Sequence, residues 1–135
     1  MKVVILAGGR GNRYNNSDIP KPLACIGNIP IIHHVMNIYQ SQGYNDFIIA
    51  LGYKKEYVVD YFAKSDEIKE SNLNINFADT EIDSNTAHRI KMIEKLIPEE
   101  DDSFLCSYAD GVANVDLELL TRQHEKLNSI CTLTA

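Results

Sequence analysis

A chain of 135 residues with 44% hydrophobic and 24% charged side chains is typical of one globular domain. Its net charge of −6 argues against a nucleic-acid or membrane-surface binder, because such proteins carry excess Lys and Arg. The three cysteines, Cys25, Cys106 and Cys131, are widely spaced and odd in number, which favours free thiols over a disulfide framework. The apolar runs are too short for a signal peptide or a membrane span, so we expect a cytoplasmic protein.

The first half of the sequence predicts two strand–helix units. Apolar runs that suit buried strands alternate with stretches of helical periodicity. The predicted elements are a strand over residues 2–7, a helix over 30–42, a strand over 47–51 and a helix over 54–63. Pro20 and Pro22 predict an extended segment before the first helix, and Gly43 is expected to end that helix.

The second half continues this alternation after a polar stretch over residues 64–72. The predicted elements are a half-exposed strand over 73–77, a helix over 86–96, a buried strand over 104–108, a helix over 116–127 and a strand over 130–134. Strands that alternate with helices pair in parallel through right-handed crossovers. The predicted fold class is therefore α/β, with residues 1–135 forming one layered domain.

Glycines and arginines follow the first predicted strand, from Gly8 to Arg13. Ligands of parallel sheets bind beyond the carboxyl ends of the strands, and glycines let a polyphosphate approach the backbone N–H groups closely. The alternative is a tight turn with surface arginines. A dinucleotide-binding pattern that starts at Gly9 fails because Tyr14 replaces its third glycine, which disfavours a dinucleotide oxidoreductase. A P-loop is excluded because no Gly-Lys-Ser/Thr follows.

Two further residues fit a phosphate site. Lys21 lies between two prolines, so its backbone has little freedom and its ammonium group is held in one direction. Asp110 follows a predicted buried strand, where a carboxylate can hold Mg²⁺ against phosphate oxygens. The alternatives are a solvated loop lysine and an Asp-Gly turn. Together with the glycine loop, these residues favour a site for phosphate.

The histidines show no catalytic or metal-ligand spacing, so we expect packing or surface roles for His33, His34, His88 and His124. Nor does the sequence offer a Ser/His/Asp or Cys/His arrangement. Transfer to an acceptor that is itself a phosphate oxygen needs no protein nucleophile.

The strongest pattern is Leu6-Ala-Gly-Gly-Arg-Gly-Asn-Arg-Tyr14 followed by Pro20-Lys-Pro22. It resembles the L-A-G-G-x-G-T-R-L and P-K-P motifs of the sugar-phosphate nucleotidyltransferases, or nucleotide-sugar pyrophosphorylases. Residues 27–31 and Ser107-Tyr-Ala-Asp-Gly-Val112 resemble that family's turn into the first helix and its metal-binding strand exit. Further segments within 46–63, 79–91 and 108–135 are similar to the glucose-1-phosphate cytidylyltransferases of this family.

The resemblance implies a Rossmann-like three-layer sandwich with a mostly parallel central sheet, the nucleotidyltransferase (GT-A-like) fold. It also implies transfer of a nucleotidyl group, CMP from CTP, to a phosphorylated small-molecule acceptor such as a sugar 1-phosphate, with release of pyrophosphate. Arg13 and Lys21 would be catalytic by neutralising phosphate charge, and Asp110 would bind Mg²⁺. The implied nucleotide-binding residues are Leu6, Ala7, Gly8, Gly9, Arg10, Gly11, Asn12, Arg13, Lys21, Ser84, Thr86, Arg89 and Ala109. Arg10 occupies the variable position of the motif, where its side chain can simply face solvent.

The sequence departs from the family pattern at several points. Asn12 replaces a threonine, and Ala87 and His88 replace two glycines of the cytidylyltransferases. Family members continue beyond the point that matches Ala135 with a sugar-binding half and a second metal-binding aspartate, so we expect this chain to be truncated before the acceptor-binding half. Two alternatives stay open: a non-catalytic nucleotide-binding or regulatory module derived from this family, and a nucleotidyltransferase for a non-sugar phosphate. A homo-oligomer is also left open.

Overall fold

A parallel β-sheet forms the centre of the protein, whose structure is a computed structural model that describes residues 1–11 and 18–134. In chain order, the strands and α-helices are β1 Val3–Leu6, β2 Cys25–Ile26, β3 Ile29–Pro30, α1 Ile31–Gln40, β4 Asp46–Leu51, α2 Lys55–Lys64, α3 Asp66–Lys69, β5 Asn74–Asp79, α4 Thr86–Met92, β6 Leu105–Tyr108 and α5 Leu117–Leu127. The central sheet has the strand order β5-β4-β1-β6, and every pair in it is parallel. Strands β2 and β3 form a separate antiparallel hairpin.

Apolar side chains cover both faces of the central sheet, since alternate residues of each strand point to opposite sides. On one face, Val3 and Ile5 of β1 belong to a core shared with α1, α2 and α5. On the other face, Val4 and Leu6 pack with Ile93, which follows α4. Helices therefore lie on both sides of the sheet, and the predicted three-layer α/β fold is confirmed.

Three local predictions are wrong. The strand predicted to be buried over residues 104–108 forms as β6, but of its residues only Leu105 is buried. Residues 130–134 do not form a strand, and the side chains of Ile130 and Leu133 are exposed to solvent there. An apolar extended segment becomes a strand only where another strand pairs with its backbone, and no described strand pairs with this one. The segment after Pro20 is not fully extended either, because Lys21–Leu23 forms a 3₁₀ turn in which the N–H of Leu23 donates to the Pro20 carbonyl at 2.8 Å.

The short helix α3 was not predicted within the polar stretch before β5. Its N-terminus is capped by the Ser65 side chain, which accepts from the N–H of Ile68 at 3.4 Å. Ser65 followed by Asp66 and Glu67 is the sequence pattern of a helix start that could have identified it. No helix in the described part of the chain is long and apolar enough to cross a membrane.

Because the strands of the central sheet are parallel, the loops that follow them lie at one edge of the sheet. Strand β1 is central, and the N–H of Ala7 just beyond it donates to the Ala50 carbonyl of β4 at 2.9 Å. On the other side, the N–H of Ala109 donates to the Leu6 carbonyl at 3.2 Å. These two hydrogen bonds hold the loops after β1, β4 and β6 together at the carboxyl edge.

Helices α1 and α2 meet at a buried histidine. His33 is only 3% exposed, and its Nδ1 lies 2.8 Å from the Tyr61 hydroxyl. Burial lowers the pKa of His33 below 6.5, although the nearby Glu67 carboxylate raises it in part. His33 is therefore neutral near pH 7, in the packing role that the sequence predicts.

We expect His33→Asn to weaken the acid sensitivity of the fold. The unfolded chain binds a proton at His33 near pH 6.5, whereas the folded chain binds it only at lower pH. Wild-type unfolding free energy should therefore fall below pH 6.5 by up to about 1.4 kcal/mol per pH unit from this group. Asparagine can keep the bond to Tyr61 and does not titrate, so the variant should lack this loss in urea unfolding curves from pH 7 to 5. His88→Asn, at an exposed position, serves as the control, and an unchanged pH profile for His33→Asn would refute the assignment.

Candidate active site

A cleft of about 700 Å³ opens at the carboxyl edge of the sheet. Four parts of the chain line it: the glycine loop over residues 6–11, the turn at Lys21 and Pro22, the loop and helix start over 82–89, and the exit of β6 at residues 108–110. Such a crevice is where parallel α/β sheets bind their ligands.

The cleft brings together predicted site residues that are distant in the sequence. All of those in the described part of the chain line it: Leu6, Ala7, Gly8, Gly9, Arg10, Gly11, Lys21, Ser84, Thr86, Arg89, Ala109 and Asp110. Asn12 and Arg13 lie outside the described residues. The predicted residues therefore form one surface, while their individual roles stay predictions.

Gly8 is fixed by its neighbours, whereas Gly9 is open to the cleft. The Gly8 carbonyl accepts from the N–H of Tyr53 at 3.1 Å and from Nη2 of Arg89 at 3.0 Å. A Cβ atom at Gly8 would overlap the Arg89 guanidinium, so a larger residue does not fit. A Cβ atom at Gly9 would meet no described atom within 4 Å. Packing among the described residues therefore requires glycine at the first position but not at the second.

The Arg89 guanidinium is buried among backbone carbonyls. The residue is 5% exposed and donates to the carbonyls of five residues: Gly8, Leu51, Thr80, Glu81 and Ile82. It also donates to the Thr80 hydroxyl at 2.6 Å. Burial lowers the pKa of Arg89, yet a guanidinium stays charged in proteins, so the carbonyl dipoles compensate this cation. The arginine predicted to contact nucleotide is thus bonded to the protein itself.

Lys21 and Asp110 form an ion pair inside the cleft. Lys21 comes from the 3₁₀ turn, and Asp110 comes directly after β6. Their side chains remain 44% and 35% exposed, so a ligand can reach both. The predicted phosphate-binding cation and the predicted metal ligand are therefore neighbours.

The donor set at Asp110 fits a metal that arrives with phosphate. The described residues contain no group of three or more His, Cys, Asp or Glu that could hold a metal by themselves. Mg²⁺ keeps several waters and is commonly bound by one or two carboxylates together with substrate phosphates. The accessible Asp110 carboxylate meets that requirement.

Arg10 does more than face solvent. Its Nη2 and Nε atoms donate to one carboxylate oxygen of Asp83 at 2.7 and 3.1 Å, so the glycine loop is linked to the loop before α4. The same guanidinium lies 5.8 Å from the ring centroid of Tyr53. Both members of the pair are exposed, with Arg10 at 49% and Asp83 at 82%. Water therefore screens this pair and keeps it weak.

The chain matches the family described as nucleotidyl transferase over residues 2–135. It belongs to that family. A relative from Bacillus subtilis, "Probable glucose-1-phosphate cytidylyltransferase", is 40% identical over 99% of this chain and 59% of its own length. The "Mannose-1-phosphate guanyltransferase" of Yarrowia lipolytica is 29% identical over 100% of this chain and 37% of its own length. The chain thus spans less than two thirds of either relative.

A solved structure supports the same membership. The crystal structure of HddC from Yersinia pseudotuberculosis complexed with GMP-PN superposes with a TM-score of 0.78 and is 29% identical. The match covers 91% of this chain and 53% of HddC. The α/β fold predicted for a nucleotidyltransferase is therefore shared with a known structure.

Several residues that line the cleft are not predicted from the sequence: Pro22, Ile82, Asp83, Asn85 and Tyr108. Tyr108 ends β6 with 58% of its surface exposed, and its hydroxyl lies 3.5 Å from that of Thr86. Asn85 caps α4 by accepting from the N–H of His88 at 2.9 Å. An N-cap residue before a predicted helix was a usable signal for Asn85. Nothing in the sequence singles out Tyr108 as a cleft residue, because aromatic residues are common in strands.

We expect Gly8→Ala and Gly9→Ala to differ sharply in stability. The new methyl group at position 8 must displace the Arg89 guanidinium, and such overpacking typically costs about 1–3 kcal/mol. At position 9 the methyl group enters open space among the described atoms, and the change should stay within about 0.5 kcal/mol. Urea unfolding of both variants measures the difference. Equal losses would show that the Arg89 contact does not constrain Gly8.

Proposed function

We propose that this chain is the nucleotide-binding part of a nucleotidyltransferase that releases pyrophosphate from a nucleoside triphosphate. The carrying observation is that the glycine loop, Lys21 and Asp110 line one cleft in a chain of the nucleotidyl transferase family. The acceptor in the complete reaction is a phosphorylated small molecule. Family membership and the cleft support this proposal together.

CTP is the proposed nucleotide and glucose 1-phosphate the proposed acceptor. The support is the name of the Bacillus subtilis relative, which is 40% identical to this chain. GTP is the second candidate, favoured by the guanyltransferase name of the Yarrowia lipolytica relative and by the HddC complex with GMP-PN. CTP and GTP carry the same triphosphate group, which in either case would bind against the glycine loop.

The proposed reaction is attack by a phosphate oxygen of the acceptor on the α-phosphorus, with pyrophosphate leaving in line. Two anions must meet, and negative charge grows on the leaving group. Positioning and electrostatic stabilisation therefore carry the catalysis. Arg13, Lys21 and the N–H groups of the glycine loop would supply positive charge and hydrogen-bond donors. Asp110 would hold Mg²⁺, which when bound neutralises charge on the phosphate oxygens.

In the proposed mechanism, Lys21 and Asp110 exchange each other for the nucleotide and its cation. Each side chain compensates the other while no nucleotide is bound. On nucleotide binding, Lys21 would turn to a phosphate oxygen and Asp110 to the cation. Neither group would be left without an opposite charge, so the cost of separating the pair is offset within the cleft.

Lys21→Met and Asp110→Asn should each lower the rate of pyrophosphate release by about 10²- to 10³-fold in the complete enzyme, because each removes a contact to developing charge. Their unfolding transitions should stay close to wild type, since both side chains are partly exposed. Lys91→Met is the matched control, because Lys91 is an exposed α4 residue paired with Glu94.

The assay uses CTP, GTP, UTP and dTTP, each with glucose 1-phosphate and with other phosphorylated small molecules. Near-normal turnover of either variant would remove that residue from the proposed mechanism. Tight nucleotide binding by the wild type without pyrophosphate release would instead support the non-catalytic module.

Two aspartates of the cleft offer a matched pair for testing the metal role. Asp83→Asn removes a charge that pairs with Arg10, so nucleotide binding should tighten about two- to fivefold with or without Mg²⁺. Asp110→Asn removes an equal charge and frees Lys21, so binding should tighten in EDTA. With Mg²⁺ the same variant should bind more weakly than wild type, because the metal loses its carboxylate.

Calorimetric titration of the wild type and both variants with CTP, in EDTA and in Mg²⁺, measures the six affinities that are compared. Identical responses of the two variants to Mg²⁺ would contradict the assignment of Asp110 as the metal ligand.

A further inference from the structure

We propose that Arg89 is a positioning residue that holds the glycine loop in its phosphate-binding conformation from behind, with both terminal nitrogens of its guanidinium bonded to the protein rather than to the nucleotide. This inference rests on the proposed function of the cleft. It assigns to Arg89 a role different from the direct nucleotide contact that the sequence predicts. Three structural observations carry it.

The first observation is that the two terminal nitrogens of the guanidinium are fully used. Nη2 donates to the carbonyls of Gly8 and Ile82, both at 3.0 Å. Nη1 faces four acceptors: the Thr80 hydroxyl at 2.6 Å and the carbonyls of Glu81, Leu51 and Thr80 at 2.8, 3.3 and 3.3 Å. Each of these nitrogens carries two hydrogens. Neither of these two nitrogens has a hydrogen left for a phosphate oxygen, and Nε is the one donor of the guanidinium that has no acceptor among the described residues.

The second observation is that the backbone is bent around this side chain. Glu81 has a φ of 61°, a left-handed conformation that residues other than glycine rarely adopt. In that conformation the carbonyls of residues 80, 81 and 82 all accept from one guanidinium. Such strain persists only where the surroundings enforce it. The loop that leads to Ser84 and Thr86 is therefore shaped by Arg89.

The third observation concerns the peptide unit between Gly8 and Gly9. Its carbonyl is held by Arg89 and by the N–H of Tyr53. The carbonyl and N–H of a trans peptide point in opposite directions, so the N–H of Gly9 is directed away from the guanidinium. Among the described residues, this N–H has no acceptor. It is thus free to donate to a phosphate oxygen in the cleft.

Two glycines make room for this arrangement. A Cβ atom at Gly8 would overlap the guanidinium, and one at Gly52 would lie 2.7 Å from Nη1. The N–H of Arg89 donates to the carbonyl of the N-cap residue Asn85 at 3.0 Å. The first turn of α4 therefore fixes the backbone position from which the Arg89 side chain extends. Arg89 therefore joins the exits of β1, β4 and β5 into one rigid wall.

The test compares Arg89→Lys and Arg89→Ala with the control Lys91→Met, which removes an exposed positive charge from the same helix. Binding of CTP and GTP with Mg²⁺ is measured by calorimetry at a temperature where circular dichroism shows each variant folded. We expect both Arg89 variants to bind at least about tenfold more weakly, and the control to bind like wild type. Lysine keeps the charge but has no planar fork to reach the Gly8 and Ile82 carbonyls together.

Chemical rescue separates positioning from general stability. Ethylguanidinium added to Arg89→Ala can occupy the vacated space and restore the fork, so nucleotide affinity should recover, whereas Arg89→Lys should not respond. Wild-type affinity in Arg89→Lys would overturn the inference, since charge alone would then suffice. Lost affinity in Arg89→Ala without recovery would overturn it too. If Arg89→Ala does not fold, the result for Arg89→Lys decides.

The result that would overturn the proposed function differs from the one that would overturn only the role of Arg89. A folded wild-type chain that binds neither CTP nor GTP with Mg²⁺ overturns the proposed function, and with it the positioning role. A wild-type chain that binds, together with an Arg89→Lys variant that binds equally well, overturns only the role of Arg89.

Discussion

A buried cation without a carboxylate hydrogen-bond partner determines the backbone of the cleft. Moving an ion out of water costs several kcal/mol even after the protein relaxes, so Arg89 must be surrounded by acceptors. Five carbonyls supply them: one from the last residue of β4 and four from the loops after β1 and β5, so the ends of these three strands have to meet. The glycines at positions 8 and 52 follow from the same need for space. The wall of the cleft is thus a consequence of compensating one charge.

Compensation also explains how an acidic chain can offer a site to an anion. The chain carries a net charge of −6, yet Arg10, Lys21 and Arg89 all line the cleft. Asp83 and Asp110 pair with the first two, whereas carbonyl oxygens solvate the third, with the Asp79 carboxylate adding a longer-range attraction. The two carboxylate pairs are partly or fully exposed, so each holds its cation only weakly. A triphosphate can therefore replace these carboxylates, whereas it cannot draw out the buried guanidinium.

The sequence predicts the scaffold and brings the glycine loop and Asp110 to one edge, because strand exits of a parallel sheet share that edge. It assigns Lys21 to the same site but does not predict its ion pair with Asp110. It does not predict what those side chains do once there. The contact between Arg10 and Asp83 spans 73 positions and depends on loop geometry that no periodicity encodes. Helical spacing placed Arg89 on α4 but gave no sign that its guanidinium turns inward. The strand predicted over residues 130–134 failed for a related reason, since pairing depends on a neighbour rather than on local composition.

The three glycines of the loop separate what the fold needs from what a ligand needs. Gly8 is required because a side chain there would displace Arg89, and Gly11 has a φ of 61° that suits glycine. Gly9 satisfies neither condition among the described residues: a Cβ atom would meet nothing, and its φ is not in the left-handed region. Glycine destabilises a fold through its extra freedom when nothing in the structure requires it. The described fold does not require glycine at position 9, and the N–H of Gly9 is directed away from Arg89. Close approach of a phosphate to this N–H therefore explains why position 9 is a glycine.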